Sequence, residues 1–125
     1  MNNVKIDTKE IFHVITPLNT SISANMSEEL NKTIIKTQES GNKSIVLNLC
    51  HVSEVEAPVL KSLAQLQIHF KGIHKSFVIC NIREELKQNP SFSQQLTELN
   101  LAPTESEAWD IVQMEEIERE LGSES

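Results

Sequence analysis

The stretch that decides the fold is SIVLNLCHVSEVEAPVL, residues 44–60. Residues 45–49 are almost continuously apolar, which is typical of a strand covered on both faces of a parallel sheet. Pro58 suits the first position of a helix, because an N–H would find no partner there and the proline φ angle is already helical. The stretch therefore predicts a buried strand, a short acidic loop and a helix. Open α/β sheets usually bind their ligands at such an edge.

The residues before this stretch predict two strands and a helix. Residues 4–8 alternate between apolar and polar side chains, and residues 11–16 are mainly apolar, so we expect an opening β-hairpin. Gly41 is a suitable stop for the helix that follows this hairpin. Apolar residues recur there at every fourth position, as on one face of a helix, namely Ile22, Met26, Leu30 and Ile34.

The residues after the stretch predict further helices and two strands. The helix that starts at Pro58 should end at Gly72 and bury one apolar face, made of Val59, Leu60, Leu63, Leu66 and Phe70. Residues 77–80 predict a short buried strand, and residues 101–103 a short edge strand, where proline is tolerated. Between them the apolar residues favour short helical segments interrupted at Pro90, and these residues are Ile82, Leu86, Phe92, Leu96 and Leu99.

The last predicted helix covers residues 105–121 and is acidic and amphipathic. Thr104, followed by Glu107 three residues later, is typical of a capping box at its start. Trp109 and Val112 lie beside its apolar stripe, and we expect Trp109 to pack against the domain, with a partner or dimer contact as the alternative. The stripe itself is expected to face the body of the protein, and it consists of Ile111, Met114, Ile117 and Leu121.

These elements predict an α/β fold. It has a mixed, mostly parallel sheet of four to five strands, about four helices packed on the sheet, and an opening β-hairpin. A chain of 125 residues suits one domain, which we expect to cover residues 4–121, with residues 122–125 as a tail.

The charge pattern limits the classes of partner. Residues 1–104 carry ten acidic and ten basic residues, so the whole net charge of −7 falls on the last helix and the tail. Such a tail repels phosphate backbones, so nucleic acid is not an expected partner. The sequence contains neither a long apolar run nor an export signal, which predicts a cytoplasmic protein without direct membrane insertion.

Catalytic and metal-binding patterns find little support. His51, Glu54 and Glu56 share one loop and could hold a divalent ion, but a solvated acidic loop is the preferred interpretation. Cys50 and Cys80 match no zinc or redox motif, so we interpret them as small buried residues, with a redox role as the alternative. We therefore expect no cofactor, no metal and no enzymatic activity.

Residues 45–49 and the predicted order of elements resemble the STAS family, the domains shared by sulfate transporters and bacterial anti-sigma factor antagonists. IVLNL is similar to the family's central strand, (I/V)-V-(L/V)-(D/N)-L, and the spacing into residues 52–56 and Leu60 also fits. The resemblance covers about residues 4–121 and is strongest over residues 44–80. It implies the STAS fold and a non-catalytic, bacterial-type signalling module that binds other proteins.

The family's signature, Asp-Ser-(Ser/Thr)-Gly-Leu, is altered in this chain. Its positions read Glu56, Ala57, Pro58, Val59 and Leu60. In the family, the first hydroxyl residue after the Asp is commonly phosphorylated by a partner kinase, and this switches partner choice. Ala57 has no oxygen to phosphorylate, so the resemblance implies an interaction module without the usual phosphoswitch. The nearest hydroxyl belongs to Ser53, which is either a turn residue or a displaced phosphosite.

The resemblance implies docking through the strand-to-helix loop and the helix that follows. The expected partner is a serine kinase or an anti-sigma factor of the switch-protein class. The alternative is an accessory subunit of a membrane lipid or anion transport complex, where the partner would be a transporter ATPase. The expected contact residues are Asn19, Ser53, Glu54, Glu56, Ala57, Pro58, Val59 and Lys61.

Overall fold

The computed structural model describes residues 3–90, 92 and 98–122. Its strands are β1 (Val4–Thr8), β2 (Phe12–Pro17), β3 (Ser21–Ile22), β4 (Ser44–Asn48), β5 (Glu54–Val55), β6 (Phe77–Cys80) and β7 (Leu101–Ala102). Its helices are α1 (Ala24–Glu39), α2 (Ala57–Gly72), α3 (Glu84–Lys87) and α4 (Glu105–Gly122). The predicted α/β class is confirmed, and the four helices found among the described residues agree with the predicted number.

Five strands form the main sheet, in the order β1-β2-β4-β6-β7. β1 and β2 are antiparallel and make the expected opening hairpin, while the other neighbouring pairs are parallel. The predicted edge strand is β7, which is only two residues long and, among the described strands, pairs with β6. The mixed, mostly parallel sheet of the prediction is therefore confirmed.

The apolar run in β4 is explained by cores on both faces of the sheet. Ile45 and Leu47 belong to the larger core cluster, together with residues of α1 and α2. Val46, between them, belongs to a second cluster that includes Ala108 and Val112 of α4. Because successive side chains of a strand point to opposite faces, a strand between two helical layers must be apolar at almost every position.

Helix α1 begins two residues later than its apolar period indicates. Ser23 is the residue before the helix, and its Oγ accepts a hydrogen bond from the backbone N–H of Met26 at 3.2 Å. The sequence pattern places Ile22 on the helix, and this prediction is wrong. Ile22 is a buried residue of β3. Gly41, with φ at +76°, follows the end of the helix as predicted, since glycine adopts this conformation at little cost.

Helix α2 buries the apolar face that the sequence predicts, from Val59 to Phe70. It ends at Gly72, as expected. Its first residue, however, is Ala57, so Pro58 occupies the second helical position rather than the first. The second position is equally suitable, because the first N–H groups of a helix have no partner within it.

Helix α4 lies on the sheet with a different face from the predicted one. Its buried residues are Ala108 and Val112, and Ile111 is half-buried. The other three residues of the predicted inward stripe are among the most exposed apolar side chains, at 60% for Met114, 56% for Ile117 and 64% for Leu121. The predicted orientation of this stripe is therefore wrong, because α4 meets the sheet through small and β-branched side chains.

The start of α4 follows the prediction. The Oγ1 atom of Thr104 accepts a hydrogen bond from the backbone N–H of Glu107 at 3.2 Å, which is half of the expected capping box. Trp109 packs edge-on against Phe12, with ring centroids 6.0 Å apart, and keeps 44% of its surface exposed. Packing of Trp109 against the domain is thus confirmed.

The segment between β6 and β7 contains the short helix α3, as its mixed pattern indicates. Leu86, Phe92 and Leu99 are buried in the larger core. Leu96, which the prediction placed on the same stripe, lies outside the described residues, as do residues 123–125 of the predicted tail. Across the described segments, no helix combines the length and the apolar character that a membrane span requires.

Candidate functional site

The candidate site is the connection between β4 and α2 together with the segment beside it. We call residues 50–58, with residues 19–20, the rim. Two valines hold the rim to the body, since Val52 and Val55 are almost completely buried in the larger core. Beside these valines, the side chains of His51, Glu54 and Glu56 are exposed. The rim is therefore an accessible surface on a fixed base.

A two-stranded parallel sheet fixes the rim to the segment after β2. Ser21 pairs with Glu54 and Ile22 with Val55, which makes β3 and β5 neighbours. The carbonyl oxygen of Thr20 accepts hydrogen bonds from the backbone N–H of Ser53 at 2.8 Å and of Glu54 at 3.2 Å. The sequence did not predict this small sheet. The pairing of β3 with β5 makes the predicted acidic loop an ordered structure.

The start of α2 places the altered signature at the surface. Ala57 and Pro58 are exposed, as is Lys61 one turn further along the helix. Val59 lies between them but is completely buried, so it supports this surface from below and is not accessible from outside. We therefore leave Val59 out of the contact surface, although the family resemblance placed it among the expected contact residues.

The Glu56 side chain connects the starts of two helices. Glu56 is the residue before α2, yet its carboxylate makes no capping hydrogen bond to that helix. Its Oε1 atom instead accepts a hydrogen bond from the backbone N–H of Ala24, the first residue of α1, at 2.6 Å. A carboxylate at this position satisfies a free N–H group and interacts favourably with the positive end of the α1 dipole.

Ser53 and Asn19 lie on the same side of the rim. The Oγ atom of Ser53 donates a hydrogen bond to the carbonyl oxygen of Thr20 at 3.2 Å, and the residue is half-buried. Asn19, the residue before Thr20, is also half-buried. The structure thus brings residues 19–20 next to Ser53, and it gives the Ser53 hydroxyl a role in fixing the turn.

A groove of 560 Å³ lies next to the rim and reaches the residues around α3. Three carboxylates border it, those of Glu54, Glu56 and Glu85. Arg83 forms an ion pair with Glu85 at 3.0 Å. A hydrogen bond from its own backbone and the neighbouring Arg83 lower the pKa of the Glu85 carboxyl. The groove is thus acidic.

Metal binding at the rim finds no support in the geometry of the described residues. Within residues 3–90, 92 and 98–122, no three His, Cys, Asp or Glu side chains come together as metal ligands would. A divalent ion needs several converging ligands. The side chains of His51, Glu54 and Glu56 are exposed to solvent.

The two cysteines differ in accessibility. Cys50, in the rim, is half-buried, whereas Cys80, at the end of β6, is completely buried. Burial, together with the nearby charges of Glu105 and Cys50, raises the pKa of the Cys80 thiol to about 12. Because the thiolate is the reactive form, Cys80 should be inert in the folded protein.

Alkylation at pH 8 tests this difference. We expect iodoacetamide to modify Cys80 at least about a hundredfold more slowly in the folded protein than in urea, since a higher pKa leaves less thiolate. In the Cys50→Ser variant, mass spectrometry measures the alkylation rate of Cys80 alone. The Cys80→Ser variant is the control, in which the rate of Cys50 alone is measured. Equal rates for Cys80 in native buffer and in urea would show that the thiol is accessible.

Comparisons with known proteins agree on the family. Residues 3–108 match the family model for the STAS domain. The Thermotoga maritima protein TM1081, for which a role as an anti-sigma factor antagonist has been suggested, superposes with a TM-score of 0.71 at 15% identity, covering 90% of this chain and 96% of its own. Curated protein sequences give no significant match.

Two further solved structures share the fold. The anti-sigma factor antagonist SpoIIAA in its unphosphorylated form has a TM-score of 0.64 at 15% identity, covering 88% of this chain and 97% of its own. The murine anion transporter Slc26a9 has a TM-score of 0.64 at 21% identity, covering 82% of this chain but only 18% of the transporter. The family match spans most of the sequence, and the sheet and helices agree with it. The chain therefore belongs to the STAS domain family.

Proposed function

We propose that this chain is a non-catalytic protein-interaction module that binds its partner through the rim and the exposed start of α2. The main support is the exposure of three consecutive residues of the family's signature positions, Glu56, Ala57 and Pro58, on a fixed base. Lys61 and Glu54 extend the same surface on either side. In this proposal Asn19 and Ser53 border the contact.

The proposed partner is a serine kinase or an anti-sigma factor of the switch-protein class, in the cytoplasm. The fold shared with an anti-sigma factor antagonist supports this class of partner. The acidic groove beside the rim favours a partner that presents basic side chains to Glu54 and Glu56. Rim charges of this kind act mainly on the rate and selectivity of association.

We further propose that binding is constitutive at this surface, or controlled elsewhere. Ala57 carries no hydroxyl group. The Ser53 hydroxyl already donates to Thr20 and is half-buried, which makes it a poor phosphate acceptor. The Glu56 carboxylate is held at the start of α1, so a fixed negative charge is present without any modification.

Affinity capture with the tagged full chain tests the proposal. We expect the wild type to retain a serine kinase or anti-sigma factor, and Ala57→Arg to lose at least about 90% of it, because a long charged side chain would replace a methyl group within the contact. Adding ATP should leave the wild-type complex intact, whereas a phosphoswitch would release the partner.

Gln65→Arg provides the matched control. Gln65 is exposed on α2, two turns beyond Ala57, so the same charge is introduced away from the rim. Equal retention by wild type and Ala57→Arg would exclude the rim as the contact surface. If Ala57→Arg and Gln65→Arg both lose the partner, the contact lies further along α2 or the added positive charge acts in a general way.

The second candidate is an accessory STAS subunit of a membrane lipid or anion transport complex. The similarity to the corresponding domain of an anion transporter favours it. It would still use the rim, so the two proposals differ in the partner that is captured. A transporter ATPase that is retained by wild type and lost by Ala57→Arg would favour this candidate over the first.

A further inference from the structure

The outward face of α4 carries three large apolar side chains. Met114, Ile117 and Leu121 are each more than half exposed. Their spacing of three and four residues places them along one side of a helix, as a stripe about 10 Å long. We call these three residues the outer stripe. Within the described residues, Ala108 and Val112 on the other side of α4 provide its buried contact with the sheet.

Acidic residues border the outer stripe, and those at helical positions beside it are Glu107, Asp110, Glu118 and Glu120. Arg119 is the basic residue of α4, and it already contacts Glu116 at 2.9 Å and the Oγ atom of Ser76 at 3.1 Å. The acidic residues of the helix outnumber it, and they are Glu105, Glu107, Asp110, Glu115, Glu116, Glu118 and Glu120. Two copies that met through this face would place like charges opposite each other, which disfavours association.

We propose that the outer stripe is a docking surface for a basic amphipathic helix of a partner protein, one whose apolar face is bordered by Lys and Arg. The apolar residues of such a helix would cover Met114, Ile117 and Leu121. Its cations would lie opposite the acidic border, including Glu118 beside the stripe. Charge complementarity therefore selects this occupant over a second copy of the chain and over an anionic membrane surface.

This surface is separate from the rim. Helix α4 packs against one face of the sheet, through the cluster that contains Val46 and Val78. Helix α2, which follows the rim, packs against the other face, through the cluster that contains Leu47 and Ile79. Occupation of the outer stripe would leave the rim accessible, so the inference goes beyond the proposed function and does not depend on it.

The test is an NMR titration of the full chain with two designed peptides. Both are amphipathic helices of about four turns with the same leucine stripe, and their polar positions carry Lys in one peptide and Glu in the other. We expect the Lys peptide to shift the amide signals of residues 110–121 with micromolar affinity, and the Glu peptide to cause no shifts. Equal binding of both peptides, or shifts confined to other residues, would overturn the proposal.

Matched variants locate the contact. Ile117→Ser should weaken binding of the Lys peptide by at least about tenfold. Ile68→Ser is the control, because Ile68 is a 70% exposed isoleucine on α2, and it should bind as the wild type does. Unchanged affinity in Ile117→Ser would contradict the proposal. So would a wild-type dimer in sedimentation that Ile117→Ser dissociates, since a second copy would then cover the stripe.

Discussion

Val112→Asp is expected to unfold the protein or to cost about 3–5 kcal/mol of stability, whereas Ile117→Asp should change stability by less than about 0.5 kcal/mol. Val112 is completely buried between α4 and the sheet among apolar side chains, where a carboxylate would lose its hydration. Ile117 is 56% exposed on the outer stripe, where a new carboxylate remains solvated. Urea unfolding followed by circular dichroism measures both values.

The pair is informative because the sequence pattern predicts the reverse result. Ile117 belongs to the stripe that was expected to face the body, and Val112 to the side of that stripe. If Ile117→Asp proves as damaging as Val112→Asp, helix α4 must be rotated about its axis from the orientation described. If both variants are fully stable, α4 contributes little to the core.

Phe77→Ala is expected to cost about 3–5 kcal/mol, because it removes one of the largest fully buried side chains of the larger core. Phe77 is completely buried at the start of β6. The centroid of its ring lies 5.2 Å from the ring centroid of Phe70 on α2. This pair therefore joins the sheet to the helix that follows the rim. A truncated side chain would leave a cavity that the surrounding strands cannot readily close.

Urea unfolding of Phe77→Ala, Phe70→Ala and the double variant measures this contribution and the coupling between the rings. Because the two rings touch, we expect the double variant to lose less stability than the sum of the single variants. Ile68→Ala is the matched control on α2, and its change should stay within about 0.5 kcal/mol because its side chain is 70% exposed. A Phe77→Ala midpoint close to that of the wild type would contradict the described packing of β6.

The sequence predicted the main sheet because the period of its apolar residues reports burial directly. Ile45, Val46 and Leu47 must be apolar once helices cover both faces of β4. Apolar periodicity gave the wrong orientation for α4, because the prediction assigned its large apolar side chains to the core. The real contact uses Ala108 and Val112, since small residues allow the helix to approach a sheet face already filled by other side chains.

The small sheet of β3 and β5 could not be predicted for a different reason. Two residues are too few to show an alternating pattern, and Ile22 also fits the period of the helix that follows. The partner strand is more than thirty residues away in the sequence, so no local signal connects the two. The hydrogen bond between Glu56 and Ala24 could not be predicted for the same reason, since these residues are also far apart in the sequence.

The candidate site was predicted in position but not in detail. The exposure of Glu54, Ala57 and Pro58 follows from a loop between a buried strand and a helix, which the sequence shows clearly. The burial of Val59 follows from the predicted apolar face of the helix, which conflicts with its place among the expected contact residues. The role of each residue in binding stays a prediction.

The pairing of β3 with β5 has a consequence for recognition. Any protein that binds here meets an epitope composed of two distant parts of the chain, residues 19–22 and residues 53–58, held in register by backbone hydrogen bonds. A linear peptide copied from the second part would lack the first and would also lose its fixed shape. Such a peptide should compete poorly with the intact protein, and a graft of this specificity onto another scaffold would need both segments.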